Sequence, residues 1–161
     1  MTKNAAEGLN YGAELSLDSE ISDTVNMFLN LGILETEIRK YQSRPDLEGR
    51  EQAHAPNYSF SAGLSWEISN NLEFLLDFNG KSDFYYSDSH DNTSDDYILT
   101  NINMIYMKDK INLNFWVRNI FDEYYSLRGF YFGNEPPNFE DTLYERHGDP
   151  RTYGLTFRYD F

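Results

Sequence analysis

Alternation of apolar and polar residues runs through almost the whole chain, and that period admits one backbone geometry. Side chains two positions apart share a face only when the chain is extended. Between Gly8 and Asp18, Leu9, Tyr11, Ala13, Leu15 and Leu17 alternate with Asn10, Gly12, Glu14, Ser16 and Asp18. The same pattern predicts strands over Val25–Ile38, Asn57–Ile68, Leu72–Tyr86, Tyr97–Met107 and Ile111–Phe121. A seventh closes the sequence over Arg151–Phe161, with Tyr153, Leu155, Phe157, Tyr159 and Phe161 on its apolar side. The expected fold class is all-β, an antiparallel meander of these strands.

The connectors alternate in length. Ser19–Asp23, Ser69–Asn71 and Lys108–Lys110 are short, whereas Arg39–Pro56, Ser87–Asp96 and Asp122–Pro150 are long and polar. In a meander every short connector then falls at one end and every long one at the other. Transmembrane β-barrels are built this way, with short inner turns and long outer loops. Aromatic residues are 17% of the chain, yet the net charge is −14 and the mean hydropathy −0.67. Alternating lipid-facing and lumen-facing residues average to such values. The acidic charge argues against a nucleic-acid partner, and the absence of cysteine excludes a disulfide framework. The longest apolar stretch, Val25–Leu34, is too short to cross a membrane as a helix. Residues Met1–Gly12 lack the apolar core of a signal peptide, so in an exported protein they are not expected to be its natural beginning.

Within such a barrel two aromatic girdles are expected. Trp66, Phe74, Tyr106, Tyr159 and Phe161 fall toward the short-turn end, and Tyr58, Phe84, Tyr86, Phe121 and Tyr153 toward the long-loop end. Phe28, Leu34, Leu75, Trp116 and Ile120 break the pattern by falling on the polar face, and Asn119 by falling on the apolar one. A lumen filled by protein tolerates such apolar residues better than open water does. Bacterial single-chain barrels close with an even number of strands, and an open sheet in lipid leaves unpaired backbone groups. The chain is therefore expected to be the end of a larger barrel.

"NIFDEYYSLRGFYFGNEPP" followed by "GDPRTYGLTFRYDF" resembles the C-terminal end of a TonB-dependent outer-membrane receptor. The resemblance rests on Asn119, Ile120, Phe121 and Asp122 with Tyr124 and Tyr125, on Gly148, Pro150 and Arg151, and on the terminal Phe161. The segment "GAELSLDSEISDTVNMFLNLGILETE" is similar to a later hairpin of such barrels. The resemblance implies a barrel of about 22 strands around an N-terminal plug domain, with residues 1–161 as its last third. It implies a location in the bacterial outer membrane and, as partners, outer-membrane lipid, the missing plug and barrel strands, and the TonB complex through an absent segment. It further implies import of a ferric siderophore or similar scarce solute, no enzyme activity and no cofactor. Tyr153, Leu155, Phe157, Tyr159 and Phe161 fit the terminal signal read by the barrel assembly machinery, which works by strand addition. A plug-less porin or outer-membrane barrel enzyme is an alternative, as is a soluble acidic β-sandwich.

The last long connector holds the candidate ligand-binding residues Arg128, Tyr131, Phe132, Tyr144, Arg146 and His147. Rings interleaved with arginines suit an aromatic, anionic chelate through stacking, cation–π and ion-pair contacts. A self-packed outer loop has the same composition. Asp88, His90, Asp91, Asp95 and Asp96 offer carboxylates, but without the spacing of a calcium loop they are expected at a solvated tip. His54, His90 and His147 lie far apart, and no metal-ligand or nucleophile motif occurs.

Overall fold

The computed structural model describes residues 7–161. Seven strands form one antiparallel sheet: β1 (Glu7–Ser22), β2 (Val25–Lys40), β3 (Tyr58–Ser69), β4 (Leu72–Lys81), β5 (Tyr97–Lys108), β6 (Ile111–Arg118) and β9 (Thr152–Tyr159). They lie in that order across the sheet, so β1 to β5 each pair with the next strand in sequence and β6 pairs with β9. The long connector before β9 adds a separate hairpin, β7 (Ser126–Phe132) with β8 (Thr142–His147). No helix of the described residues is long and apolar enough to cross a membrane.

The register carries the sequence pattern across the whole sheet. Directly opposed residues share a face. Met27, Leu64, Leu76, Ile102, Val117 and Tyr153 form one such row. The next contains Val25, Trp66, Phe74, Met104, Phe115 and Leu155. A one-residue slip at any strand would break both rows. This apolar face stays open: Leu155 is 67% exposed and Phe157 62%. Among the described residues the only buried hydrophobic side chains are Ile38, Leu47, Phe84 and Tyr86. Among the described residues the other sheet is only the two-stranded β7–β8 hairpin, so the second layer of a β-sandwich is missing.

The turns explain the register. Ser22 pairs with Val25, Ser69 with Leu72 and Lys108 with Ile111, leaving two-residue turns. Asp109 takes φ 53°, a conformation aspartate adopts with little strain. The first connector is thus shorter than expected, because β1 runs on to Ser22.

Two strands stop early. β4 ends at Lys81 rather than Tyr86, and just beyond it the Ser82 hydroxyl donates to the Asp83 carbonyl at 3.1 Å. β6 ends at Arg118 rather than Phe121, because Asn119 adopts φ 50°. Asn119 is not an apolar-face residue: it is 4% exposed and ties the rim together. Its backbone N–H donates to Asn101 Oδ1, and its amide donates to the carbonyls of Glu123 and Asp149 at 2.9 and 3.2 Å.

Two of the polar-face exceptions also have a local cause. The Phe28 ring covers Gly63, and the Trp116 ring covers Gly154. A Cβ at those glycines would come within 2.3 Å of Phe28 and 2.5 Å of Trp116. An aromatic side chain laid over a cross-strand glycine replaces the packing that glycine lacks. Phe28 and Leu75 also line a hollow of about 700 Å³ on this face, together with Asp18 and Asp77.

The two faces make opposite predictions. In a lipid-embedded sheet Leu29→Arg should cost about 2–4 kcal/mol, while Asn30→Arg should stay within about 0.5 kcal/mol of the parent. Urea unfolding in bilayers of the complete gene product measures both.

Candidate functional site

The long connectors gather at the end of the sheet opposite the tight turns, and most of the buried apolar side chains lie there. Phe84 and Tyr86 are 2% and 4% exposed. They are therefore not girdle rings: beyond Lys81 the chain folds inward instead of extending the strand. Ser94 holds this segment closed through its hydroxyl on the Phe84 N–H and its own N–H on the Phe84 carbonyl, at 3.1 and 2.9 Å. The β7–β8 hairpin lies on Tyr86, whose ring fills the space beside Gly129. The Tyr86 hydroxyl donates to Glu145 Oε1 at 2.5 Å. Burial, then that bond to Glu145, pushes the Tyr86 phenol up to about 12.

The hairpin divides the six sequence-predicted site residues between two faces. Arg128 stands directly opposite Arg146, Phe130 opposite Tyr144 and Phe132 opposite Thr142. These share one face, with the Phe130 and Tyr144 rings stacked at 5.7 Å. Neither arginine makes an ion pair among the described residues. Like charges directly opposed on a ladder repel. Tyr144 donates to Glu135 at 2.7 Å, which raises its phenol above the ordinary value.

Tyr131 points to the other face. Its ring stacks on His90 at 3.5 Å and its hydroxyl donates to Asn92. His147 stacks on Tyr124 at 4.4 Å, near the hairpin base. The structure thus brings Arg128, Phe132, Tyr144 and Arg146 together, adds Phe130, and places Tyr131 and His147 elsewhere.

The aspartates of the acidic 87–96 segment are solvent-exposed, as expected, but the segment is tied to its neighbours. Asp88 accepts the Ala53 N–H at 2.8 Å, and Asp91 meets Arg50 at 2.6 Å. Arg50 also donates to the His90 carbonyl and lies 4.0 Å over the Tyr85 ring. His90 Nε2 sits 3.6 Å from Asp141. Arg50 and His90 therefore cross-link all three long connectors. No periodic pattern marks these contacts, since they join loops far apart in the chain. His54 rests against Phe84 at 5.5 Å, and burial followed by the Arg128 charge lowers its pKa. Arg118 lies 5.4 Å over Trp116, and Arg158 pairs with Asp160 at 3.0 Å. Among the described residues no group of three or more His, Cys, Asp or Glu side chains is placed to hold a metal ion.

No protein-family model matches the sequence. Solved structures match its fold. The siderophore receptor PiuA from Acinetobacter baumannii aligns with TM-score 0.78 at 15% identity, over 94% of this chain and 22% of its own. The ferric yersiniabactin uptake receptor FyuA from Yersinia pestis aligns with TM-score 0.78 at 18% identity, over 96% and 24%. BauA, the ferric preacinetobactin receptor from Acinetobacter baumannii, gives TM-score 0.74 at 19% identity, over 96% and 22%. The chain shares the fold of a sector of these receptors, in line with the sequence resemblance. The chain spans less than a quarter of each of these receptors.

The Tyr86–Glu145 contact predicts a pH limit. The folded phenol titrates above an unfolded tyrosine, so its contribution is complete below about pH 10. It is lost as pH rises toward about 12. Limited proteolysis of the outer loops should accelerate across that interval, and Tyr86→Phe should remove the step.

Proposed function

We propose that this chain is the C-terminal part of a TonB-dependent outer-membrane receptor that imports a ferric siderophore or a similar scarce solute. One observation carries the reading. A single seven-stranded sheet with an open apolar face superposes on a siderophore receptor, a ferric yersiniabactin uptake receptor and a ferric preacinetobactin receptor. In this reading the apolar face meets outer-membrane lipid, and the opposite face lines a lumen. The hollow containing Phe28 and Leu75 then contacts a plug domain supplied by a part of the protein outside residues 1–161. The long connectors face the cell exterior and capture the solute.

The β7–β8 hairpin supplies the first grip. Arg128 and Arg146 receive the negative charge of the chelate, and Phe130, Phe132 and Tyr144 offer ring surface beside it. Passage through the lumen requires rearrangement of the plug, driven by the TonB complex through the segment that engages it. No bond of the solute need be made or broken, so the reading assigns no catalytic residue. In assembly β9 presents Tyr153, Leu155, Phe157 and Tyr159, followed by Phe161, to the barrel assembly machinery. Its second edge is free to pair, because only β6 borders it in the sheet.

Deleting the gene should abolish uptake of one radiolabelled ferric siderophore under iron limitation. Unchanged uptake of every ferric siderophore that the organism uses would refute the transport role. In the complete gene product, Arg128→Ala with Arg146→Ala should weaken binding of that chelate by about tenfold or more, with the protein still in the outer membrane.

A further inference from the structure

Two cavities lie side by side on the polar face of β1–β3, toward the long-connector end. One, of about 690 Å³, is bordered by Asn10 and Gly12 on β1 and by His54, Ala55 and Pro56 of the first long connector. The other, of about 360 Å³, holds Ser16, Asn30 and Ser61. Glu14, Gly32 and Ser59 line both, so the two run on as one groove.

The register shows why the face is hollow there and not beside it. Two rows cross the sheet at this height. One is Glu14, Gly32, Ser59, Lys81 and Tyr97, and the other Ser16, Asn30, Ser61, Asn79 and Leu99. On β1–β3 the side chains are small, Glu14 being the largest. On β4 and β5 the same rows turn bulky, and connector rings pack on them. The Lys81 ammonium lies 4.3 Å over the Phe84 ring, and Tyr97 packs on Tyr125 at 4.6 Å. The glycines divide in the same way. Phe28 and Trp116 cover Gly63 and Gly154, whereas only Ser59, apart from chain neighbours, lies within 4 Å of a Cβ placed at Gly32.

The chemistry of the open side suits passage better than capture. Hydroxyl and amide groups both donate and accept, so a hydrated solute finds partners at every step. Glu14 is the one carboxylate among the lining residues, and no lysine or arginine joins it to hold a charged group fast. Transit needs contacts that admit a solute and release it again. A cavity of several hundred Å³ has room for a drug-sized molecule.

We propose that this groove on β1–β3 is the wall along which the imported solute leaves the outer loops. The plug then packs on the Phe28–Leu75 hollow and on the larger side chains of β4 and β5, and leaves Ser16, Gly32, Ser59 and Ser61 wet. The inference rests on the transport reading above and adds the side of the lumen that conducts.

Residues 1–161 contain no cysteine. Ser16→Cys and Ser61→Cys can therefore be made singly in the complete gene product, freed of any cysteine elsewhere, and studied in whole cells. A charged biotinyl methanethiosulfonate is the thiol reagent. Thr100→Cys, at a position 7% exposed, is the buried baseline. Uptake is read with radioiron loaded on the siderophore fraction of the organism's own iron-starved medium. Both serine positions should label well above the Thr100 position. Labelled cells should still bind that fraction at their surface but lose its uptake, and dithiothreitol should restore it. Labelling no faster than at Thr100 means that the groove is covered, and the proposal falls. It falls equally if labelled cells import at the parent's rate. Either result leaves the transport reading standing, whereas absence of uptake in the unlabelled parent overturns that reading and this inference with it.

Discussion

The ladder of backbone hydrogen bonds is the interaction on which the rest of this structure depends. The sheet has almost no buried apolar core of its own, so side-chain packing is a small part of what sets its form. What holds the strands is the register from β1 through β9, in which every interior strand has a partner on both sides. In hydrocarbon, where no water competes, each unpaired backbone group costs several kcal/mol. Both outer edges, on β1 and on β9, therefore require further strands if the sheet lies in lipid. An even number of strands and a closed ring satisfy that requirement.

Freed from packing a core, the two faces of the sheet take separate roles. One carries mainly apolar rows. The other is polar, with rings laid where cross-strand glycines leave gaps. Most buried apolar side chains lie in the loops, where Phe84 and Tyr86 anchor the β7–β8 hairpin. Arg50 and His90 then join the connectors to one another. This gives the outer end a defined surface, with an arginine-bearing face on one side of the hairpin.

The period-two pattern made the sheet legible, since alternation fixes faces and faces fix register. Strand ends were less legible. The alternation of Phe84 and Tyr86 looks like continued strand, but both rings turn in to fill the loop core. Asn119 looked like an error in an apolar row, whereas its positive φ and its amide hydrogen bonds end β6. The hairpin within the last connector was missed because its rings and arginines read equally well as a self-packed loop. The division of Arg128 and Arg146 from Tyr131 and His147 follows from the hairpin's register. Composition carries no such information.

The central claim is that one face of this sheet meets lipid and the other does not. The chain has no cysteine, so single cysteines can be introduced at Leu29, Asn30 and Leu31 of the complete gene product in outer membranes and spin-labelled. Electron paramagnetic resonance then reads accessibility to oxygen, which partitions into lipid, and to a water-soluble nickel chelate. Strong oxygen and weak nickel accessibility at positions 29 and 31, reversed or lost at 30, is the result this account predicts. Nickel accessibility at position 29 or 31 equal to that of a freely solvated label would contradict it.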